Sequence, residues 1–584
     1  MKGEWNLKEL VTDKKDLETK IKKLDSLTKK FEQSKKSLKN TISSGQFNSA
    51  LKTLEQLNEV DSILGSYASL RFSEDTQSDE NSALMTRITR LDTAISNRMT
   101  FFFNWWKKEV DDKNARRLIK DAGELSYYMD YSRRTAKYML SEPEEKIINT
   151  MSSTGISSLI KLYGKITNAF EYNLKIGGRS RSFTREELAA FVRGPDMRMR
   201  EAAYRALQGK YSTNLGVIGD IYQSRVLYWH DNFIDMRGYK SPISARNIMN
   251  DLSDDSVSVL LDVCRENSGV FREFFKIKAK VIGVRRLRRY DLYAPVAEKS
   301  SRADYTYGKA ESMIIGAWEK VNPQLASYAK RIFDQGHIDY SIRKGKKSGA
   351  FCNGVTPQIT PYVQVNYNGK LDSVFTLAHE LGHAMHNCAA AKHSIMNMDA
   401  PLPIAETAST FSETVLAEDI IPKMQKDALR GLLFKRMDDF YATIGRQSYF
   451  TLFEIAAHEK ISAGAMSSDI NKVYYANLSE QFGNAIDLSR DFEVEWSSIP
   501  HFFNTPFYCY AYSFGNLLAL ALYQRYREEG GKFAKEYQDI LAAGGSQNPQ
   551  KMLAEHDIDI SSPKLWRDGF DYIKGQVALL RKSV

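Results

Sequence analysis

Chemistry concentrates at His379-Glu380-Leu381-Gly382-His383, an HExxH pattern. On a helix, residues i and i+4 share a face, so both imidazoles reach one metal ion, and Glu380 stands where it can take a proton from a water at that ion. A catalytic zinc needs a third protein ligand and an open position. The metzincin continuation would put Gly at 386 and His at 389; those positions hold His386 and Ala389, so that class is excluded. Two candidates remain. His386 lies in the same helical row, and three ligands in one straight row rarely converge on a tetrahedral ion. Glu406, 23 residues beyond His383 on the next apolar segment, is the expected third ligand, brought back by a returning helix. Glu413, two turns further along that face, is expected to hydrogen-bond a ligating imidazole. His393 is assigned no role.

A second group lies at 499–515, where His501, Tyr508, Tyr510 and Tyr512 crowd a short aromatic stretch. A phenol or imidazole aimed at an oxygen that gains negative charge in a reaction contributes on the order of 3 kcal/mol. Tyr508 and Tyr512 share a helical face, and His501 and Tyr510 are the other proton donors of the stretch.

The chain that must position these groups has 584 residues, 42% hydrophobic and 26% charged, with 34 Gly and 14 Pro. This composition excludes disordered and collagen-like classes. No apolar run approaches the roughly 20 residues needed to cross a bilayer. The charged N-terminus lacks a signal-peptide apolar region, and the cysteines Cys264, Cys352, Cys388 and Cys509 form no CxxC pair. The expectation is a cytoplasmic protein with reduced thiols and no membrane partner. The formal charge of +10 is thin for this length. Lysine doublets at 14–15, 22–23, 29–30 and 35–36 are expected to form a solvated helix face rather than a nucleic-acid site.

Residues 7 to 165 read as successive helices, with Leu17, Ile21, Leu24 and Leu27 at i, i+3 and i+4 spacings. Breaks at Ser43-Ser44-Gly45 and in the polar stretch 73–80 predict antiparallel hairpins. The Gly177-Gly178 break marks a soft boundary, followed by capping chemistry in Ser182-Phe183-Thr184-Arg185-Glu186-Glu187. The run Pro361 to Tyr367 reads as one of few strands, immediately before the HExxH segment. The fold is therefore expected to be mostly α with a small β-sheet near the active site, divided into an N-terminal helical lobe at 1–180 and a catalytic domain at 181–584.

Phe375 to His383, Ala405-Glu406-Thr407-Ala408-Ser409, Gly349-Ala350-Phe351-Cys352, Pro361-Tyr362 and Tyr290 to Pro295 together resemble the oligoendopeptidase F group of the thimet oligopeptidase family of zinc metallopeptidases. The resemblance covers roughly residues 180 to 584. It implies a two-lobed helical zincin-type body with a deep substrate channel, which limits substrates to short peptides. It also implies one zinc ion per chain held by His379, His383 and Glu406, with Glu380 as base. It supports the His501 region as the donor segment, with His501, Tyr508 and Tyr512 as the expected catalytic donors and Tyr510 as the alternative, although the tyrosine spacing differs from that of thimet-type relatives.

The expected activity is zinc-dependent hydrolysis of internal bonds in short oligopeptides, with the peptide paired along the edge of the 361–367 strand. A related zinc carboxypeptidase or dipeptidase would share the metal site but grip a substrate terminus. A non-enzymatic scaffold would lack a ligand or the base, and none is missing. A nucleic-acid binder would need a module that is not found. Two imidazoles and one carboxylate suit zinc, with manganese and cobalt as alternatives.

Overall fold

The computed structural model describes residues 3–296 and 305–584, and the chain is mostly helical. Among the described residues there are seven short strands: β1 (Tyr172–Ile176), β2 (Arg179–Phe183), β3 (Leu287–Arg288), β4 (Ile338–Asp339), β5 (Phe351–Asn353), β6 (Tyr362–Gln364) and β7 (Ile486–Asp487). They pair as β1-β2, β3-β7 and β4-β6-β5. The chain forms two compact units of interleaved segments. One comprises Met1–Lys137, Arg302–Pro422 and Leu522–Asp559; the other comprises Tyr138–Ser301, Lys423–Ala521 and Ile560–Val584.

In the first unit, helices Lys14–Gln33, Ser44–Glu74 and Asp79–Asn104 bury Leu17, Leu24, Leu57, Leu64, Ile88 and Ile95 against one another. The sequence breaks between them are helix starts. Ser43 forms a capping box with Gln46, and Ser78 accepts from the Asn81 N–H, so each satisfies a backbone donor that the first turn leaves orphaned. The lysine doublets are exposed, and Lys29 reaches Asp25 at 2.7 Å within its own helix.

The small sheet corrects one expectation. β6 is its centre, parallel to β4 on one side and antiparallel to β5 on the other, with Val363 paired to both Ile338 and Cys352. Its backbone donors are already used: Val363 N–H bonds His337 O, and Tyr367 N–H bonds Tyr340 O. The 361–367 run therefore offers no open edge to a peptide. The outer strands of the sheet are β4 and β5, and the HExxH helix, Leu371–Ala390, packs on both β5 and β6.

In the second unit, Gly177 and Gly178 form the tip of the β1-β2 hairpin, at φ 58° and 79°. Two successive positive φ values are what a tight hairpin turn requires and what glycine supplies without steric cost. Thr184 then caps helix Arg185–Val192 in a capping box with Glu187. Asp291, in the stretch from Tyr290 to Pro295, is buried and accepts from Arg200 at 2.9 Å and Arg288 at 2.7 Å. Arg289, also buried, pairs with Glu495 at 2.6 Å. Removing one partner of such a pair strands a charge inside the protein.

Candidate functional site

The HExxH helix starts in a tight side-chain turn. Asn368 Oδ1 accepts from Lys370 N–H at 3.0 Å and from the Ser373 hydroxyl at 2.6 Å. From there the helix buries Val374, Leu377, Ala378 and Leu381 on the core side. Helix Leu402–Ile420 returns across it. The two meet at Gly382, where a Cβ would stand 2.6 Å from both the Ala408 carbonyl oxygen and the Ser409 Cα. Glycine inside a helix costs roughly 1 kcal/mol relative to alanine. Here it permits a backbone approach that no side chain allows.

That approach brings Glu406 to the two histidines. One ligand atom from each of His379, His383 and Glu406 lies within 4.8 Å of the other two. Glu406 Oε2 is 3.8 Å from His379 Nε2 and 4.0 Å from His383 Nε2. The His379 ring is oriented from behind, its Nδ1 meeting Glu413 Oε1 at 2.6 Å. Such outer partners fix which ring nitrogen is left for a ligand. The set fits a zinc-type ion, with two imidazole nitrogens and one carboxylate oxygen converging from two helices.

Electrostatics at these side chains follow from burial and from three neighbouring carboxylates. Burial opposes protonation of His379, but Glu413, aided by Glu380 and Glu406, outweighs it and holds the imidazole up at about 9. Burial, with His379 and His386 adding repulsion, pushes His383 down to about 3. Burial raises Glu380 to about 7, opposed by His379 and reinforced by Glu406 and Glu413. His386 is buried outside the ligand group, its Nε2 without a hydrogen-bond partner. His393 bonds Ala542 O at 2.9 Å.

In the second unit, His501, Tyr508 and Tyr512 form a ring cluster. His501 lies 5.9 Å from Tyr508, nearly parallel, and 6.2 Å from Tyr512, while the two tyrosines are 5.1 Å apart, edge to face. Burial and the Arg446 charge lower the His501 pKa. Tyr510 turns elsewhere: it is fully buried and its hydroxyl accepts from Asn250 Nδ2 at 2.8 Å. A residue spacing that leaves three tyrosines open is thus reduced to two by packing. Sequence reading passed over Gly382, although a glycine in an otherwise apolar helix is a signal of close approach.

Relatives share this architecture along nearly the whole chain. Oligopeptidase PepF of Bacillus subtilis is 26% identical over 530 residues, covering 88% of this chain and 77% of the relative. An oligoendopeptidase F homolog of Lactococcus lactis is 25% identical, covering 89% and 87%. Among solved structures, a candidate peptidase from Chlamydophila abortus superposes with a TM-score of 0.89 at 22% identity over 100% of this chain and 98% of that one. Oligoendopeptidase-F from Enterococcus faecium gives 0.73 at 19% identity over 97% and 99%. The model of peptidase family M3 matches residues 190–572, more than half the sequence, and takes in both the HExxH helix pair and the His501 cluster; the chain belongs to peptidase family M3.

Proposed function

We propose that this chain is a zinc-dependent endopeptidase that hydrolyses internal bonds of short oligopeptides. The observation that carries the reading is the convergence of His379, His383 and Glu406 within 4.8 Å, with Glu380 one residue from the first ligand on the same helix. The relatives named for oligopeptide and oligoendopeptidase activity support the substrate class. When bound, zinc supplies Lewis acidity, polarising the scissile carbonyl and making a water nucleophilic near neutral pH.

The chain's own groups do the rest. Glu380 takes a proton from the attacking water as its oxygen bonds the carbonyl carbon, then returns that proton to the leaving amine as the C–N bond breaks. Glu413 keeps the His379 imidazole aimed. His501, with Tyr508 or Tyr512, donates to the oxyanion. The outer edge of β5 pairs with the substrate backbone, which gives grip independent of side-chain identity. A cytoplasmic location is part of the same reading, supported by four free cysteines and by the finding that no helix among the described residues is long and apolar enough to cross a membrane.

The test is cleavage of an internally quenched peptide of about ten residues, blocked at both ends, by zinc-loaded wild type and Glu380→Gln. Internal cleavage by wild type, lost by about 10²- to 10⁴-fold in a variant that still holds zinc, supports both the activity and the base. Cleavage confined to free-ended peptides would replace the endopeptidase reading with an exopeptidase.

A further inference from the structure

The chain from Thr505 to Cys509 runs without regular structure between the short helix Pro500–Asn504, whose last turn carries Phe503, and helix Tyr510–Glu529. Loops of this kind are usually the mobile part of a fold, yet three side chains from three different helices hold this one by its backbone. Arg225, on Leu215–Trp229, donates from Nε to the Phe503 carbonyl at 2.9 Å. Arg246, on Pro242–Met249, donates from Nε to the Pro506 carbonyl at 3.0 Å. Glu454, on Arg446–Ser462, accepts from the Phe507 N–H through Oε1 at 3.0 Å. Arg225 is 8% exposed and Glu454 0%. Both guanidiniums also lie over the Trp229 ring, at 5.3 and 5.6 Å.

The residue at the middle of this grip is strained. Phe507 has φ 57°, a conformation uncommon for a bulky side chain and one that persists where the surroundings impose it. Its ring is buried, 4.6 Å from His458. The next residue is Tyr508, and the segment on the other side begins at His501. A change of φ at 507 would swing Tyr508 away from His501, so the grip decides where both side chains point.

We propose that Glu454, with Arg225 and Arg246, is a positioning device for peptide hydrolysis: it locks Phe507 in its left-handed conformation and thereby aims His501 and Tyr508. These residues touch neither substrate nor metal. The inference rests on the reading of His501 and Tyr508 as oxyanion donors, and it adds the reason that an irregular segment can present donors reproducibly. Preorganisation of this kind matters because a donor displaced by about 1 Å loses much of its effect on the transition state.

The experiment compares wild type, Glu454→Leu, Glu454→Gln and Arg246→Met as zinc-loaded full chains. The readouts are kcat and KM on the blocked quenched peptide and hydrogen exchange of the backbone over 501–512. Glu454→Leu removes the acceptor; it is expected to speed exchange in that segment and lower kcat at least tenfold, with KM changed less than twofold. Glu454→Gln keeps an oxygen acceptor for the Phe507 N–H and is expected to restore most of both. Arg246→Met releases the other side of the loop and should act in the same direction, which keeps the test available if Glu454→Leu does not fold. In a Tyr508→Phe background, Glu454→Leu is expected to cost much less than it does alone, because the group it positions is already gone.

Unchanged exchange and unchanged kcat in Glu454→Leu and Arg246→Met overturn the proposal, as does a full loss of kcat that persists undiminished in the Tyr508→Phe background. If His501→Ala and Tyr508→Phe turn over like wild type, the donor reading fails and the catalytic role of the grip fails with it; faster exchange in Glu454→Leu would then mark a structural latch alone.

Discussion

The metal-ligand group and the donor group are built by opposite means. His379, His383, Glu406 and Glu413 sit on two regular helices whose periodicity fixes which residues share a face, and a single glycine sets how closely the helices cross. His501, Tyr508 and Tyr512 depend on five irregular residues, 505–509, whose path is set by Arg225, Arg246 and Glu454, remote in sequence. Regular structure places side chains through local rules; irregular structure places them through whatever holds the backbone. The first kind of site tolerates loss of an outer partner, whereas the second is expected to move as a unit.

The largest effect that would separate the two groups is His383→Ala. It is expected to abolish both stoichiometric zinc, read by metal analysis, and peptide cleavage, and removal of metal from wild type by a chelator should do the same until zinc is restored. Full activity in the zinc-free protein would break the assignment of this group as the metal centre.

Within the donor group, Tyr508→Phe is expected to lower kcat by about 10²- to 10³-fold with zinc retained, while Tyr510→Phe, which loses only the bond to Asn250, leaves kcat nearly unchanged. The reverse pattern would mean that packing had been misread as selection between the tyrosines.

Glu413→Gln tests the outer layer of the metal group. The His379 Nδ1 partner at 2.6 Å loses its charge but keeps an oxygen, and zinc affinity measured by chelator competition is expected to fall about 10- to 100-fold. An unchanged affinity would show that His379 needs no support from behind.

Gly382→Ala is a packing test. The new methyl would meet backbone at 2.6 Å, so the helices must separate, at a cost of about 1–3 kcal/mol in urea denaturation. Equal stability would show that the crossing can slide.

A further effect, read as a slope against pH, is the dependence that Glu454 contributes. Burial raises its carboxyl from 4.5 to about 8, against the lowering effects of the Phe507 N–H, Arg246 and Arg225; the Tyr222 hydroxyl and the His458 ring also face this interior. The unfolded chain releases the proton near pH 4.5 and the folded chain near 8, so the stability from this group is full below about pH 4.5, shrinks across that window and is gone above about 8. Glu454→Gln should remove that downward slope from unfolding free energies measured between pH 5 and 8.

Legibility in the sequence follows the same division. The breaks at Ser43-Ser44-Gly45 and in 73–80 were readable from their polar, small residues, and the structure makes Ser43 and Ser78 the caps of the helices that follow. The strand before the HExxH helix was readable from composition, but its place in the sheet was not. β6 lies between β4 and β5 because of partners at 338 and 351–353, and no property of residues 361–367 announces a neighbour on both sides. Gly177-Gly178 was visible as a break, and the structure makes it a hairpin turn, since pairing of the flanking residues requires both strands at once.

The sequence by itself determined a mostly helical chain of family M3 with an HExxH pair, a glutamate at a spacing that a returning helix can bring back, and a donor-rich segment near 500–512. These are local facts, fixed by 3.6-residue periodicity and by the side chains that chemistry needs. The tertiary structure alone decided that Gly382 is the crossing point, that Glu413 orients the His379 imidazole, that β6 is the central strand of its sheet, and that Tyr510 turns into the core while Tyr508 joins His501. Each of these depends on contacts between residues far apart in the chain, and such contacts are set by which surfaces bury together rather than by any short run of residues.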